Sequence, residues 1–292
     1  MEFNGKPTAG FSHGKTQELL AILLLNRGRP RRRDWIANEL WDDPSCRTPR
    51  KNLRHVLWKL QDALANVDDS LAQMIQSEGS DWIRCRPPEN LWFDVNVFEQ
   101  AHARPARRPA ERLSEDQARN LEEAIDLYTG QLLDGCDQHW CLIERERLRD
   151  CYTTMLDALI DHCIVSGGFD KGINLAHLNL REDYAREQTH QRLMVLYALA
   201  GDRTTALRQF GRCATALKRE FNIEPGRATV TLRDLLLDDR LGRHLPVVDR
   251  GIAGLSNRAM TGGCADMLVE LRGLLCEVIE AVESEPRGAV RT

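Results

Sequence analysis

The stretch from Thr48 to Leu64 constrains this chain more than any other. Thr48 followed by Pro49 is a helix start, because Thr is a favoured N-cap and Pro at the first helical position gives up only an N–H that has no partner there. At about 100° per residue, Leu53, Val56, Leu57, Leu60 and Leu64 fall within one arc roughly a third of the helix wide. That arc faces a core. Lys51, Arg54, His55 and Trp58 fall on nearly the opposite side, with Lys59 beside them and Arg47 and Arg50 near the helix start, where backbone N–H groups also favour phosphate. Guanidinium and ammonium groups supply donors for guanine and phosphate, and Trp58 offers a ring to a thymine methyl or a sugar. A merely solvated basic face would leave Trp58, outside the apolar stripe, unexplained.

The neighbouring segments complete a known order. Lys15 to Asn26 carries Leu19, Ile22 and Leu23 at helical spacing and is stopped by Gly28 and Pro30. Asp34 is placed to cap a second helix, Trp35 to Trp41, which Pro44 closes. After the third helix come two β-prone stretches, Met74 to Cys85, around Glu78-Gly79-Ser80, a hairpin pattern. Asn4-Gly5 is a turn signal with only three residues before it, so any leading sheet is short. Three helices and a hairpin are the order of a winged helix-turn-helix. Glu78 and Asp81 flank the wing tip and would repel phosphate, which leaves Arg84 as its main cation.

Charge divides along the same line. Residues 1–86 hold 14 Lys and Arg against 11 Asp and Glu, and within 27–59 the count is 10 against 4, although the whole chain carries −4. A basic segment on an acidic remainder points to an anionic partner for the first part only, and nucleic acid leads.

Ala101 to Ser114 has no apolar periodicity and reads as a linker. Helical patterns then follow one another: LEEAIDLYTG, WCLIERERLRDCYTTMLDALIDHCIV, KGINLAHLNL, EQTHQRLMVLYALA, TTALRQFGRCATALKREF and TVTLRDLLL. An offset of 34 residues aligns Gly167 with Gly201, Gly172 with Ala206, Ile173 with Leu207 and Leu159 with Leu193, the period of tetratricopeptide helix pairs. After Leu241 a Gly-rich, patternless stretch precedes Leu268, Leu271, Leu275, Val278 and Val282. Their 3,4 spacing predicts a C-terminal helix that either packs on the preceding array or pairs with a second copy of the chain.

Several function classes are excluded by pattern. The longest apolar run, Leu19 to Leu25, is far shorter than the ~18 residues of a membrane span, and the first residues lack the features of an export signal. The expected compartment is the cytoplasm, with no membrane partner. Nine cysteines without a C-x-x-C fit neither a disulfide framework nor a zinc ribbon. Cys136, His139 and Cys141 cluster in sequence but lack a fourth ligand at a familiar spacing, so packing is the expected role and no metal or cofactor is expected. No P-loop, dinucleotide-binding glycine motif, G-x-S-x-G or H-E-x-x-H occurs, and the expectation is a protein that is not an enzyme.

The segments TQELLAILLLNRG, RDWIANELWDD, RKNLRHVLWKLQDAL and FDVNVFEQA resemble the DNA-binding half of the Streptomyces antibiotic regulatory protein type of activators, abbreviated SARP. LYTGQLLDG, the W-x-x-x-E-R-E-R-L-R run from Trp140 and the stretch REDYAREQTHQRLMVLYALAGDRTTALRQFGRCATALKREFNIEP resemble the bacterial transcriptional activator domain of the same regulators. The expected fold is mainly α: a winged helix-turn-helix over residues 1–99, a linker over 100–113, a TPR-like all-helical activator domain over 114–240, a loop over 241–263 and a helix over 264–285. The resemblance implies an activator that binds double-stranded promoter DNA and recruits RNA polymerase. The expected DNA-contacting residues are Arg47, Arg50, Lys51, Arg54, His55, Trp58, Lys59 and Arg84. An effector and a homodimer stay open. The alternative is a TPR-like protein-interaction or effector-sensing regulator with weak or no DNA binding.

Overall fold

The computed structural model describes residues 2–3, 6–7, 14–42, 47–103 and 113–238. The expected loop over 241–263 and helix over 264–285 lie outside them. The chain divides into two compact units, residues 1–109 with 120–152 and residues 110–119 with 153–292. The division passes through two helices, α6 (Glu115–Ile125) and α7 (His139–Ser166).

The first unit is built on α1 (Lys15–Leu25), α2 (Arg33–Leu40) and α3 (Pro49–Ala65). Leu19, Ile22, Ile36, Leu40, Leu53, Leu60 and Leu64 are fully buried in one cluster, so the leucine arc of α3 does face the core. Val56 packs against that cluster only partly buried. Asp34 does not cap α2. It sits inside the first turn, because the chain enters from an extended Arg32. Arg31–Arg32 form a short strand, β3, antiparallel to the stretch Trp82–Cys85. The run RGRPRRR therefore holds an unanticipated third strand of the wing sheet.

A five-residue helix, α4 (Asp69–Gln73), follows α3 and is capped by Asp68, whose carboxylate accepts from the Ser70 backbone N–H at 2.8 Å. The hairpin is present: β4 (Ile75–Glu78) pairs antiparallel with β5 (Trp82–Cys85), Glu78 opposite Trp82. Gly79 stands in the turn at φ 65°, a left-handed conformation that glycine adopts without a Cβ penalty. A second sheet orders β2 (Lys6–Pro7), β1 (Glu2–Phe3) and β6 (Leu91–Trp92), all antiparallel. The leading strands are as short as expected, and β6 joins them from about ninety residues away.

The same unit takes in α5 (Asp94–Ala103), which carries helix into the stretch expected to be linker, and residues 120–152. Trp140 and Cys141 are buried in the α1–α3 core, and Leu132, Leu133 and Cys136 pack against it. Gln138 Nε2 donates to the Leu40 carbonyl at 2.9 Å. Glu99 accepts from Arg27 Nη2 at 2.5 Å and from Arg147 Nη2 at 2.6 Å, joining α5 to the end of α1 and to α7.

The second unit is a run of paired helices: the latter part of α7, then α8 (Phe169–Glu182), α9 (Glu187–Leu199), α10 (Arg203–Phe221) and α11 (Arg227–Leu237). The 34-residue repeat is visible in the backbone. Gly167 and Gly201 follow the ends of α7 and α9 at φ 81° and 82°, each closing a helix where a residue with a side chain would be strained. Asp157, held by Arg186 at 2.7 Å, Arg192 at 3.2 Å and Asn179 at 2.8 Å, ties α7, α8 and α9 together. The fold is mainly α, a winged helix-turn-helix followed by a TPR-like helical domain. Among the described residues no helix is long and apolar enough to cross a membrane.

Candidate nucleic-acid interface

Burying Leu53, Leu57, Leu60 and Leu64 turns the other side of α3 outward. Arg50, Lys51, Arg54, His55, Trp58 and Lys59 are all exposed, as is Arg47 just before the helix. Trp58 is 61% exposed, an unusual position for a large aromatic ring. Its ring lies near-parallel to that of His55, centroids 6.4 Å apart.

Between α3, the start of α2 and the wing lies a cleft of about 730 Å³ whose walls include Arg33, Arg50, Arg54, Trp58, Ser77 and Asp81. Arg50, Arg54 and Trp58 follow one another at four-residue spacing along one face of α3. The structure brings these three expected residues together. Arg47, Lys51, His55 and Lys59 lie outside the lining of the cleft.

Arg33, in sequence only one of the ten cations of residues 27–59, is a wall of the cleft. Its backbone N–H donates to the Asp81 carbonyl at 2.7 Å and its Nη2 to Ser77 Oγ at 2.8 Å. Burial, and then the nearby charges of Arg50 and Arg54, lower its pKa from the ordinary guanidinium value. Three cations at one cleft raise each other's energy, and the Asp81 carboxylate among them offsets part of it.

The wing's two acids are each paired with an arginine of the protein. Asp81 accepts from Arg50 Nη2, and Asp34 lies 3.4 Å from Arg50 Nε. The Ser80 hydroxyl, followed by Arg50, holds the Asp81 carboxyl below the usual carboxylate range. Arg84, expected to be the wing's main cation, is bound to Glu78, Nε to Oε1 at 2.6 Å. Neither link was legible locally, because register across the hairpin and packing of the wing on α2 create them.

A second cleft in the first unit, about 490 Å³, is mostly apolar, with Leu20, Leu24, Phe98, Leu127 and Leu148 among its walls. Leu133, also in its wall, has a left-handed backbone, φ 47°, and Arg145 donates to the carbonyls of both Leu132 and Leu133. Cys141 is buried nearby. Desolvation pushes its thiol up to about 12, which makes it a packing group rather than a nucleophile.

Residues 93–237, from just before α5 to the end of α11, match the model of the bacterial transcriptional activator domain. Among solved structures the chain is similar to Mycobacterium tuberculosis EmbR, determined in complex with a low-affinity phosphopeptide. The TM-score is 0.72 at 20% identity, over 94% of this chain and 67% of that one. No curated protein matches. That likeness carries the fold. An activator-domain match running from α5 through α11 behind a winged helix-turn-helix is the domain order of SARP-type transcriptional regulators.

Proposed function

We propose that the chain is a sequence-specific DNA-binding activator whose α3 enters the major groove of promoter DNA and which recruits RNA polymerase. One observation carries the reading: a fully buried leucine stripe on α3 backs a face of seven exposed basic and aromatic residues, Arg47, Arg50, Lys51, Arg54, His55, Trp58 and Lys59. Arg54 and Arg50 are suited to base edges. Lys51, Lys59 and Arg47, outside the cleft, suit phosphates, and the stacked Trp58 and His55 suit a thymine methyl or sugar. Arg84 contributes least, since Glu78 already neutralises it. In this reading residues 1–99 serve as the DNA-binding domain and residues 114–240 as the activator domain.

Binding of the full chain to a duplex selected from random sequence, measured from 50 to 200 mM salt, tests it. Phosphate neutralisation predicts affinity that falls steeply with salt, and replacing Arg50, Lys51 and Arg54 together by Ala should abolish selection of the site. In vitro transcription with purified polymerase tests recruitment: added protein should raise initiation at a promoter carrying the site.

The apolar cleft against α1 favours a second reading, an effector-sensing regulator that no longer grips DNA. Salt-independent peptide or small-molecule binding without affinity for any duplex would support it.

A further inference from the structure

An acid at the tip of a DNA-binding wing is costly unless it has another task. We propose that Asp34 and Asp81 are positioning residues that hold Arg50 as a guanine reader, so that the acidic wing sets specificity instead of touching DNA. The proposal rests on α3 being the DNA-contacting helix.

Asp81 is anchored rather than swinging. Its carbonyl accepts from the Arg33 N–H at 2.7 Å, which ties the wing turn to the first residue of α2, and Arg33 Nη2 reaches back to Ser77 Oγ at 2.8 Å. One carboxylate oxygen of Asp81 takes Arg50 Nη2 and the other takes the Ser80 hydroxyl at 3.0 Å. Asp34, in the first turn of α2, approaches Arg50 Nε at 3.4 Å. Two separate elements, α2 and the wing, therefore converge on one guanidinium of α3.

The chemistry of that guanidinium decides between its possible tasks. Two carboxylates around this cation offset its own pull on a phosphate, and Arg33 and Arg54 supply the remaining positive charge of the cleft. A guanine edge presents neutral acceptors, O6 and N7, and does not depend on that pull to the same degree. Asp34 stands against Nε as an ion pair at 3.4 Å, and Asp81 takes one Nη2–H. The hydrogens on Nη1 and the second on Nη2 form the end-on fork that guanine O6 and N7 accept. A long side chain held on two sides loses less freedom when that fork is used, which is the advantage of a preorganised donor. Arg54, one turn further along the same face, is the cleft's second guanidinium suited to a base edge.

The test uses the full chain and a duplex it selects from random sequence, with a set of single base-pair substitutions of that site and one scrambled duplex. Arg50→Ala should reduce discrimination at a single G·C pair by about tenfold or more, the scale of a bidentate contact. The double variant Asp34→Asn/Asp81→Asn should lose most of the same discrimination at the same pair, while binding the scrambled duplex as tightly as the parent or tighter. Adding Asp81→Asn to Arg50→Ala should change discrimination no further, because both act through one group. Equal tightening on selected and scrambled duplexes would make the acids a mere electrostatic brake and overturn the proposal, as would additive losses in the combined variant. A parent that selects a site while Arg50→Ala discriminates unchanged overturns this proposal alone, whereas a parent that binds no duplex removes the reading of α3 along with it.

Discussion

At single residues, what matters is whether a polar group's partners leave it a further task. Lys51 is exposed on α3 outside the cleft, and Arg54 is exposed within it. Lys51→Ala should therefore weaken binding to all duplexes alike and flatten the salt slope by about one, whereas Arg54→Ala should cost about 1–3 kcal/mol at the cognate site and relax its sequence preference. Titrations against cognate and scrambled duplexes separate the two, and identical behaviour of the variants would remove the distinction. His190 is the contrasting case. It is fully buried in the second unit. Its Nε2 faces the Tyr184 carbonyl at 2.9 Å, which can only accept, so Nδ1 must accept from Gln209 Nε2 at 2.7 Å. That arrangement suits only neutral imidazole. Desolvation, the largest influence, lowers its pKa. The unfolded chain then binds the extra proton first as pH falls, so this contribution to stability is complete above about pH 6.5 and is lost below it as pH falls through the folded-state pKa. Melting temperature should drop between pH 7.5 and 5.5, and His190→Gln should flatten part of that drop; an unaltered pH slope in the variant would count against it.

At the scale of elements, six helical patterns read from periodicity reappear as α6 to α11, because an apolar stripe every three to four residues is a local property that packing only has to accept. The elements that escaped are those made by partners far along the chain. Arg31–Arg32 become strand only because β5 lies alongside, and Leu91–Trp92 only because β1 does. The candidate site divides the same way. The exposed face of α3 was legible from its stripe, whereas the Asp81 link to Arg50 comes from 31 residues away. Glycine shows how far a repeat can be trusted. The repeat aligns Gly172 with Ala206, which is fully buried in α10, and a Cβ at Gly172 would stand 2.9 Å from Leu196 and 3.0 Å from Cys163. Gly172→Ala should cost about 1–3 kcal/mol through overpacking between α8 and its neighbours. Gly211, inside α10, has open space where its Cβ would be, so Gly211→Ala should stabilise by about 0.5–1 kcal/mol. Thermal or urea melts of both variants decide, and equal signs would show that backbone preference rather than packing sets the cost.

At the scale of the whole molecule, the matched activator domain begins at residue 93, yet its first third does not stand apart from the winged helix. Residues 120–152 belong to the same compact unit as residues 1–109. Pattern alone suggested a cut near Ala101 to Ser114, since a low-periodicity stretch is the usual sign of a boundary. It could not show that Trp140, 6% exposed, and Cys141, fully buried, fill the core made by α1, α2 and α3. Nor could it show that Gln138 satisfies the Leu40 carbonyl at the end of α2 and accepts from Trp140 Nε1 at 3.0 Å. Truncation exposes the difference. A fragment of residues 1–152 should unfold in one cooperative transition, whereas residues 1–109 lack the Trp140 side chain and its hydrogen-bonded neighbour and should melt lower and bind an apolar dye. In the full chain Trp140→Ala should cost about 3–5 kcal/mol, the range for emptying a buried aromatic site. The loss should fall on the transition that a fluorophore on α1 reports. If residues 1–109 melt at the same temperature as residues 1–152, Trp140 is an adornment of the winged-helix core rather than part of it, and the activator domain begins to act as a separate body at residue 93.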